Sequence, residues 1–205
     1  MTEHYHNHIF AKWEREGGRE LQFSFDDINS DSMVWDIGLY KGDWTSEIYE
    51  KYHPYIFAFE PVKSFYDFAV ERFRGNEKIS IFNFGLGDRK RFDRVKLSGD
   101  GTSLFKENKT ESVEIRDISE EFVHRGLRQV DLLALNCEGA EYEILRRLFN
   151  IGIINKFNQL FIQFHNLKED DKRLRDEICV MLTKTHNRLY CYAFVWELWK
   201  RKERN

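Results

Sequence analysis

The feature that most constrains the fold is a repeated alternation of short apolar segments with amphipathic helical segments. Hydrophobic side chains dominate five segments, at 33–39, 55–60, 79–87, 130–136 and 159–166. The stretches between them place apolar residues three and four positions apart, which is helical spacing. Strands that are apolar on both faces are typical of parallel sheets covered by helices on each side. The alternation therefore predicts an α/β fold with a mainly parallel sheet and helices on both faces.

Two parts of the chain break this alternation. Residues 88–112 are polar and charged, and they read as a long excursion in which a hairpin including "GTSLF" (101–105) is one possibility. The aromatic stretch "RLYCYAFVWELW" (188–199) predicts either a long strand or a tight hairpin, with an antiparallel strand closing the sheet. A length of 205 residues suits one domain. We expect an N-terminal tail or helix over 1–19 and a single domain over 20–205.

Composition excludes several classes of protein. A net charge of −3 disfavours a nucleic-acid binder, which would usually be basic. No apolar run reaches the roughly 18 residues of a membrane span, and the N-terminus has no signal-peptide core. Three cysteines without a close pair indicate neither a disulfide framework nor a zinc ribbon, so a cytoplasmic location is expected. His4, His6 and His8 could bind a stray metal, although a frayed tail is the simpler interpretation.

Polar residues recur where the predicted strands end. They are Asp36 with Gly38 and Gly42, Glu60, the turn after Phe84, Asn136 with Glu138, and Gln163 with His165. In open parallel sheets, ligands bind beyond the carboxyl ends of the strands, near the point where the strand order switches. These residues are therefore the candidates for a ligand site.

The first of these turns indicates a nucleoside ligand. Gly38 and Gly42 form a G-x-x-x-G pattern between a strand and a helix, and Glu60 follows Gly38 by 22 residues. A carboxylate about 20 residues past such glycines usually accepts hydrogen bonds from a ribose diol. Asp36, and Asp43 in the first helical turn, would repel a pyrophosphate. They suit a cationic ligand such as S-adenosylmethionine.

These acidic residues also have structural interpretations. Asp43 could simply complement the positive end of the helix dipole. Asp36 lies inside an apolar strand, where an unpaired carboxylate is costly, so a functional role is favoured there.

The motifs at these positions are similar to those of one known family. "VWDIGLYKGDW", "FAFEPV", "FNFGLGD", "GTSLF" and "LNCEGAEYEIL" occur in the order found in the FkbM-like methyltransferases, and the resemblance extends from about residue 20 to the C-terminus. It implies a class I, Rossmann-like methyltransferase fold. It also implies methyl transfer from S-adenosylmethionine, commonly to a hydroxyl of a sugar, a glycan or a secondary metabolite.

The resemblance also implies roles for individual residues. Asp36, Gly38 and Gly42 match the cofactor loop, and Glu60 matches the ribose acid. Gly87 and Asp88 match the turn after the third strand, near the adenine edge. Asn136, Glu138, Gly139 and Glu141 match the family's D-x-E-G-x-E motif. The cofactor-binding residues implied are therefore Asp36, Gly38, Gly42, Glu60, Gly87, Asp88 and Asn136.

The chain departs from the family at Asn136, where the usual residue is Asp. An amide orients a ligand but serves neither as a base nor as a strong metal ligand. The departure argues against metal-dependent chemistry, so no metal is expected.

Transfer of a methyl group to a hydroxyl needs removal of a proton, and two residues are candidates for that step. They are His165, whose imidazole titrates near neutral pH, and Glu138. A structural histidine and a helix N-terminal charge are the respective alternatives. Glu141 and Glu197 are weaker candidates for contact with the substrate.

Two other functions are compatible with this scaffold. An NAD-dependent oxidoreductase would share it, but the GxGxxG loop is absent. A cofactor-binding module without activity, serving a biosynthetic complex, is the second, because Asn136 replaces an acid. We expect a small-molecule or glycan acceptor and no nucleic-acid partner, and a homodimer is a candidate assembly.

Overall fold

The computed structural model describes residues 3–96 and 110–203, which form a seven-stranded sheet and a smaller three-stranded sheet, with helices packed around them. The strands of the main sheet are β1 (Met33–Ile37), β2 (Tyr55–Phe59), β3 (Ile79–Phe82), β7 (Val130–Leu135), β8 (Phe157–Ile162), β9 (His186–Tyr192) and β10 (Trp196–Arg201). Their order across the sheet is β3-β2-β1-β7-β8-β10-β9. The first five strands in this order pair in parallel, and β10 pairs antiparallel with both β8 and β9. The predicted α/β class, with an antiparallel C-terminal strand, is confirmed.

Helices cover both faces of this sheet, as two separate groups of buried side chains show. One group joins Trp35 and Leu133 to apolar residues of α5 (Ile118–His124), α6 (Glu141–Asn150) and α7 (Asp171–Leu182). The other joins Val34 and Leu132 to α3 (Asp43–Tyr52) and α4 (Lys63–Arg72). Neighbouring residues of a strand point to opposite faces, so the continuous apolar runs of β1 and β7 supply both groups.

The predicted third strand is two strands in the structure. β3 ends at Phe82, and β4 (Gly85–Gly87) leaves the main sheet to pair in parallel with β6 (Thr110–Asp117). β6 also pairs antiparallel with β5 (Arg91–Lys96), which completes the small sheet. The polar excursion thus contributes β5 and the start of β6, while "GTSLF", which the expected hairpin includes, lies outside the described residues.

Both ends of the described chain lie at the β10–β9 side of the main sheet. The aromatic C-terminal stretch is a tight hairpin, because β9 and β10 are separated by three residues. The N-terminal stretch is helical, with α1 (Glu3–Arg15) and α2 (Gly18–Leu21), and Trp13 of α1 packs against Tyr192 and Val195. Helix is one of the two alternatives expected for this stretch.

Two negative findings apply to residues 3–96 and 110–203. No helix there is long and apolar enough to cross a membrane. No three potential metal ligands among them come together, although the side chains of His4 and His6 lie outside the part described.

Candidate active site

The carboxyl ends of β1, β2 and β7 meet at one edge of the sheet. Past the last residue of β1, the Gly38 N–H donates to the Phe59 carbonyl at 3.1 Å, and the Asn136 N–H donates to the Ile37 carbonyl at 3.0 Å. The chain runs from β1 outward to β2 and β3 and then returns to β7 on the other side of β1, so the strand order switches between β1 and β7. Gly38 and Asn136 therefore mark the place where an α/β sheet binds its ligand.

Gly38 permits this close approach of the two loops. Its φ is +90°, and a Cβ atom there would lie 1.9 Å from the backbone oxygen of Asn136. No other residue type fits without moving the loop after β7. The glycine thus has a geometric reason to be at this position, which is independent of any ligand.

Asp36 holds a buried carboxylate at the end of β1. Only 5% of its surface is exposed, and the Thr45 hydroxyl donates to Oδ2 at 2.6 Å. Burial raises the pKa of Asp36 to about 6, and the hydrogen bond from Thr45 only partly offsets this. A buried acid with one neutral partner is expensive to ionise, so it favours a cationic ligand.

Glu60 holds a second buried carboxylate, directly after β2. Its two oxygens accept the backbone N–H groups of Tyr40 and Val62, each at 2.8 Å. Burial raises the pKa of Glu60 to about 7 against the effect of these two bonds. Each carboxylate oxygen has a second lone pair, so Glu60 retains capacity to accept hydroxyl groups.

A cavity of about 380 Å³ opens beside β1 and β7 at this edge, and its lining combines acids with aromatic rings. Asp36, Gly38 and Asn136 contribute to it, as do Asp43 and Glu47 of α3. Its aromatic residues are Phe23, Tyr40, Trp44, Phe161 and Trp196. The Trp196 ring stacks on Phe161, with centroids 4.0 Å apart. Carboxylates and aromatic faces both attract cations, so the cavity suits a positively charged ligand.

The turn after β7 presents Glu138 to solvent. This side chain is 80% exposed, and its backbone has a φ of +52°, which is uncommon for a residue other than glycine. Gly139, with a φ of +101°, completes the turn into α6. An exposed charge on a strained backbone at a ligand-binding edge is a common feature of functional sites.

His165 and Glu141 form a pair beside this turn. The Glu141 side chain is fully buried, and its Oε1 accepts the His165 backbone N–H at 2.6 Å and lies 3.1 Å from His165 Nδ1. Its Oε2 accepts the Gly139 N–H at 2.9 Å. His165 Nε2 lies 3.5 Å from Glu138 Oε1. Burial lowers the pKa of His165, but the bond to Glu141 and the charge of Glu138 outweigh it, so the pKa is raised above its usual value.

The two weaker candidates for substrate contact are both buried. Glu141 has no exposed surface, so its role is to hold His165 and not to touch a substrate. Glu197 is 1% exposed, and its Oε1 accepts Arg175 Nε at 2.7 Å. This ion pair occupies the interior between β10 and α7, which removes Glu197 from the substrate side.

Four predicted cofactor positions do not line the cavity, and one of them is Glu60, described above. Gly42 precedes α3 with a φ of +83°, and a Cβ there would lie 2.5 Å from the Phe73 ring. Gly87 belongs to the small sheet, where a Cβ would lie 2.5 Å from Glu143 Oε1. Asp88 pairs with Arg91 at 3.1 Å. Gly87 and Asp88 therefore do not form the turn after β3, because the chain has already left the main sheet.

Asn83 occupies the turn after β3, which the sequence assigns to Gly87 and Asp88. It follows β3 directly, and its side-chain Nδ2 donates to the backbone oxygens of Glu60 at 3.0 Å and Pro61 at 3.2 Å. The sequence signal was present, since Asn83 is a polar residue after an apolar run. The continued run "FGLG" extended the predicted strand past it.

The residues present fit S-adenosylmethionine, which carries a sulfonium, an ammonium and a ribose diol. Asp36 and the aromatic rings of the cavity provide for the positive charges. Glu60, at the end of the neighbouring strand, does not line the cavity, but its carboxylate would offer acceptors to the diol. Gly38 lies between these two acidic residues in the chain, and its lack of a side chain leaves room beside the Asn136 backbone.

Comparison with known proteins agrees with this chemistry. Residues 36–190 match the model of the methyltransferase FkbM domain, which is more than half of the chain. No curated protein resembles the chain in sequence at a significant level.

Solved structures show the same fold at low sequence identity. A putative rRNA methylase from Clostridium thermocellum has a TM-score of 0.54 at 7% identity, over 87% of this chain and 90% of that one. The fibrillarin pre-rRNA processing protein of Methanococcus jannaschii has a TM-score of 0.52 at 13% identity, over 88% of this chain and 71% of that one. The family match, on a fold of this kind, shows that the chain belongs to the FkbM methyltransferase family and is an S-adenosylmethionine-dependent methyltransferase.

Proposed function

We propose that this methyltransferase acts on a hydroxyl group of a sugar, a glycan or a secondary metabolite, with His165 as general base. The observation that carries the proposal is the pair of His165 and fully buried Glu141 at the edge where β7 ends. A histidine oriented by a buried carboxylate is suited to removing a proton from a weakly acidic hydroxyl.

The pair supports Nε2 as the nitrogen of His165 that removes the proton. A carboxylate only accepts hydrogen bonds, so the Nδ1 atom facing Glu141 carries the proton. Nε2 is then unprotonated and faces the exposed side of the site, where Glu138 lies 3.5 Å away. When Nε2 takes up a proton, the Glu138 carboxylate stabilises the resulting imidazolium. Glu138 therefore supports the base rather than acting as the base itself.

Other residues at the carboxyl edge would bind the cofactor and orient the acceptor. S-adenosylmethionine supplies a methyl group made electrophilic by its positive sulfur. Asp36 and the aromatic cavity would hold that charge, and Asn136 would orient groups where the two loops meet. Glu60 would hold the ribose hydroxyls. Holding the hydroxyl close and in line accounts for much of the rate of such a displacement.

The test combines an acceptor screen with one substitution. Purified protein is incubated with labelled S-adenosylmethionine and panels of sugars, nucleotide sugars and hydroxylated metabolites, and label transfer is measured. With an acceptor in hand, His165→Ala should lower the single-turnover rate by about 10²- to 10⁴-fold while changing cofactor affinity little. The exposed His124→Ala serves as the matched control. A near-wild-type rate in His165→Ala would exclude His165 as base, and label found only on nitrogen or carbon would exclude a hydroxyl acceptor.

A further inference from the structure

A second cleft lies at the opposite edge of the main sheet, where β7 and β8 begin. Its volume is about 670 Å³, larger than that of the methyltransferase cavity. The chain enters β7 through Gln129 and β8 through Lys156, and β10 ends beside them at Arg201. No residue of this cleft takes part in the proposed methyl transfer.

The cleft is positively charged although the chain as a whole carries −3. Its basic residues are Arg128, Lys156, Lys200, Arg201 and Lys202, and its acidic residues are Asp27, Asp131 and Glu203. Asp27 is paired with Lys200 at 2.6 Å. Arg201 and Lys202 each donate to a backbone carbonyl, which leaves their charges unneutralised. The excess of positive charge indicates an anionic ligand.

Asp131, one of the three acids, keeps its negative charge, but its carboxylate oxygens are already occupied by groups of the protein. Its Oδ2 accepts the Met33 N–H at 2.8 Å, and its Oδ1 accepts side-chain amides of Gln129 and Asn158, each at 2.9 Å. These bonds fix the two amides at the floor of the cleft. Arg128 and Lys156 have no ion-pair partner within residues 3–96 and 110–203.

Two buried polar atoms of the cleft lack hydrogen-bond partners. Gln159 is 2% exposed, and its Nε2 atom donates to nothing in the described part of the chain. Asn158 Oδ1 is likewise buried and accepts nothing there. Buried polar atoms are rarely left without partners, so the free donor of Gln159 and the free acceptor of Asn158 each indicate a ligand group such as a hydroxyl.

We infer that this amino-edge cleft binds a small phosphate ester of a sugar. The basic side chains hold the phosphate, and the carboxamides of Asn158 and Gln159 hold sugar hydroxyls, which both donate and accept hydrogen bonds. A free sugar phosphate and a nucleotide share this chemistry, so probes must separate the two sources. The inference does not depend on the identity of the methyl acceptor.

The experiment titrates the full chain, saturated with S-adenosylmethionine, by calorimetry. The probes are inorganic phosphate, ribose, ribose 5-phosphate and adenosine 5′-monophosphate. Ribose 5-phosphate should bind at least about tenfold more tightly than either phosphate or ribose, because it engages both sets of groups. Stronger binding of the nucleotide than of ribose 5-phosphate identifies a nucleotide as the source, and equal binding identifies a free sugar phosphate.

Two variants locate the site. The exposed pair Arg128→Ala/Lys156→Ala should weaken ribose 5-phosphate binding by about tenfold or more, whereas Lys172→Ala on α7 should not. Gln159→Leu should abolish the preference over inorganic phosphate. The inference is overturned if phosphate binds as tightly as its ribose ester, if no probe binds, or if the double variant binds like wild type. Unchanged cofactor affinity in the double variant shows that the two sites are independent.

Discussion

At the scale of single residues, Asp36 and Glu60 make the apo protein less stable at neutral pH. Burial raises their folded-state pKa values to about 6 and about 7, above the roughly 4 expected for unfolded carboxyls. Between these values the folded state binds more protons than the unfolded state. The free energy of unfolding therefore falls as pH rises from about 4 to about 7, and it stays low above that range.

Asp36→Asn should consequently stabilise the protein while harming ligand binding. At pH 8 the free energy of unfolding should increase by about 1–3 kcal/mol, because an ionised buried group has been removed, and the gain should shrink towards pH 4. Urea denaturation at both pH values, with the exposed Asp67→Asn as control, measures this. Calorimetry should show at least about tenfold weaker S-adenosylmethionine binding at pH 8. Equal or lower stability of the variant at pH 8 would contradict the assignment of a raised pKa to Asp36.

Glu141 should control the protonation of His165 rather than binding a substrate. In Glu141→Gln the imidazole loses the carboxylate that raises its pKa, so the acidic limb of the kcat/KM profile should move to lower pH. The maximal rate should fall by about 10- to 100-fold, since the imidazole is less well oriented. Glu143→Gln, in the same turn of α6, is the matched control because Glu143 pairs with Arg91 instead. A slower enzyme with an unshifted pH profile would leave Glu141 with a purely structural role.

At the scale of the elements, the loop between β1 and α3 depends on Gly38. Gly38→Ala places a methyl group 1.9 Å from the Asn136 carbonyl oxygen and holds alanine at a φ of +90°. Gly75→Ala is the matched control, because its φ is +81° but nothing lies within 4 Å of the new methyl. For Gly75→Ala we expect the free energy of unfolding to fall by about 1–2 kcal/mol from backbone strain alone. The loss at Gly38 should exceed it by about 1–3 kcal/mol for the steric overlap. Urea denaturation of the two variants compares them, and equal losses would show that the loop after β7 yields without cost.

The elements also show what the sequence could predict. β1, α3 and β2 follow from local patterns, and each ends within a few residues of its predicted position. The split of "ISIFNFGLG" into β3 and β4 could not be read locally, because β4 is defined by its pairing with β6, about thirty residues later. The same limit applies to the site. Asp36 and Gly38 are predicted from one turn, whereas the contact between Glu141 and His165 joins the start of α6 to the loop after β8 and depends on β7 lying beside β8.

At the scale of the whole molecule, the sheet separates two kinds of chemistry. Buried acids and aromatic rings collect at the carboxyl edge, and basic side chains collect at the amino edge. β7 and β8 have six residues each, so the two edges are roughly 20 Å apart. Substitutions at the two edges share no contact at this distance, so their effects on the free energy of unfolding should be additive. Ligands of opposite charge can therefore occupy the molecule together without competing.

Binding at the carboxyl edge should stabilise the entire domain, because β1, β2 and β7 are central strands. At 100 times its dissociation constant, S-adenosylmethionine adds about 2.7 kcal/mol to the free energy of unfolding, which is about 5–10 °C in Tm for a chain of this size. Glu60→Ala removes the acceptors for the ribose and should lose most of this rise at the same concentration. Its apo Tm will change as well, since the backbone N–H groups of Tyr40 and Val62 lose their partner, so the comparison is between the rises and not the absolute values. The exposed Glu77→Ala is the control and should keep the full rise. If differential scanning fluorimetry gives Glu60→Ala the wild-type rise, the ribose is held elsewhere, and the buried carboxylate serves only to fix the loop between β1 and α3.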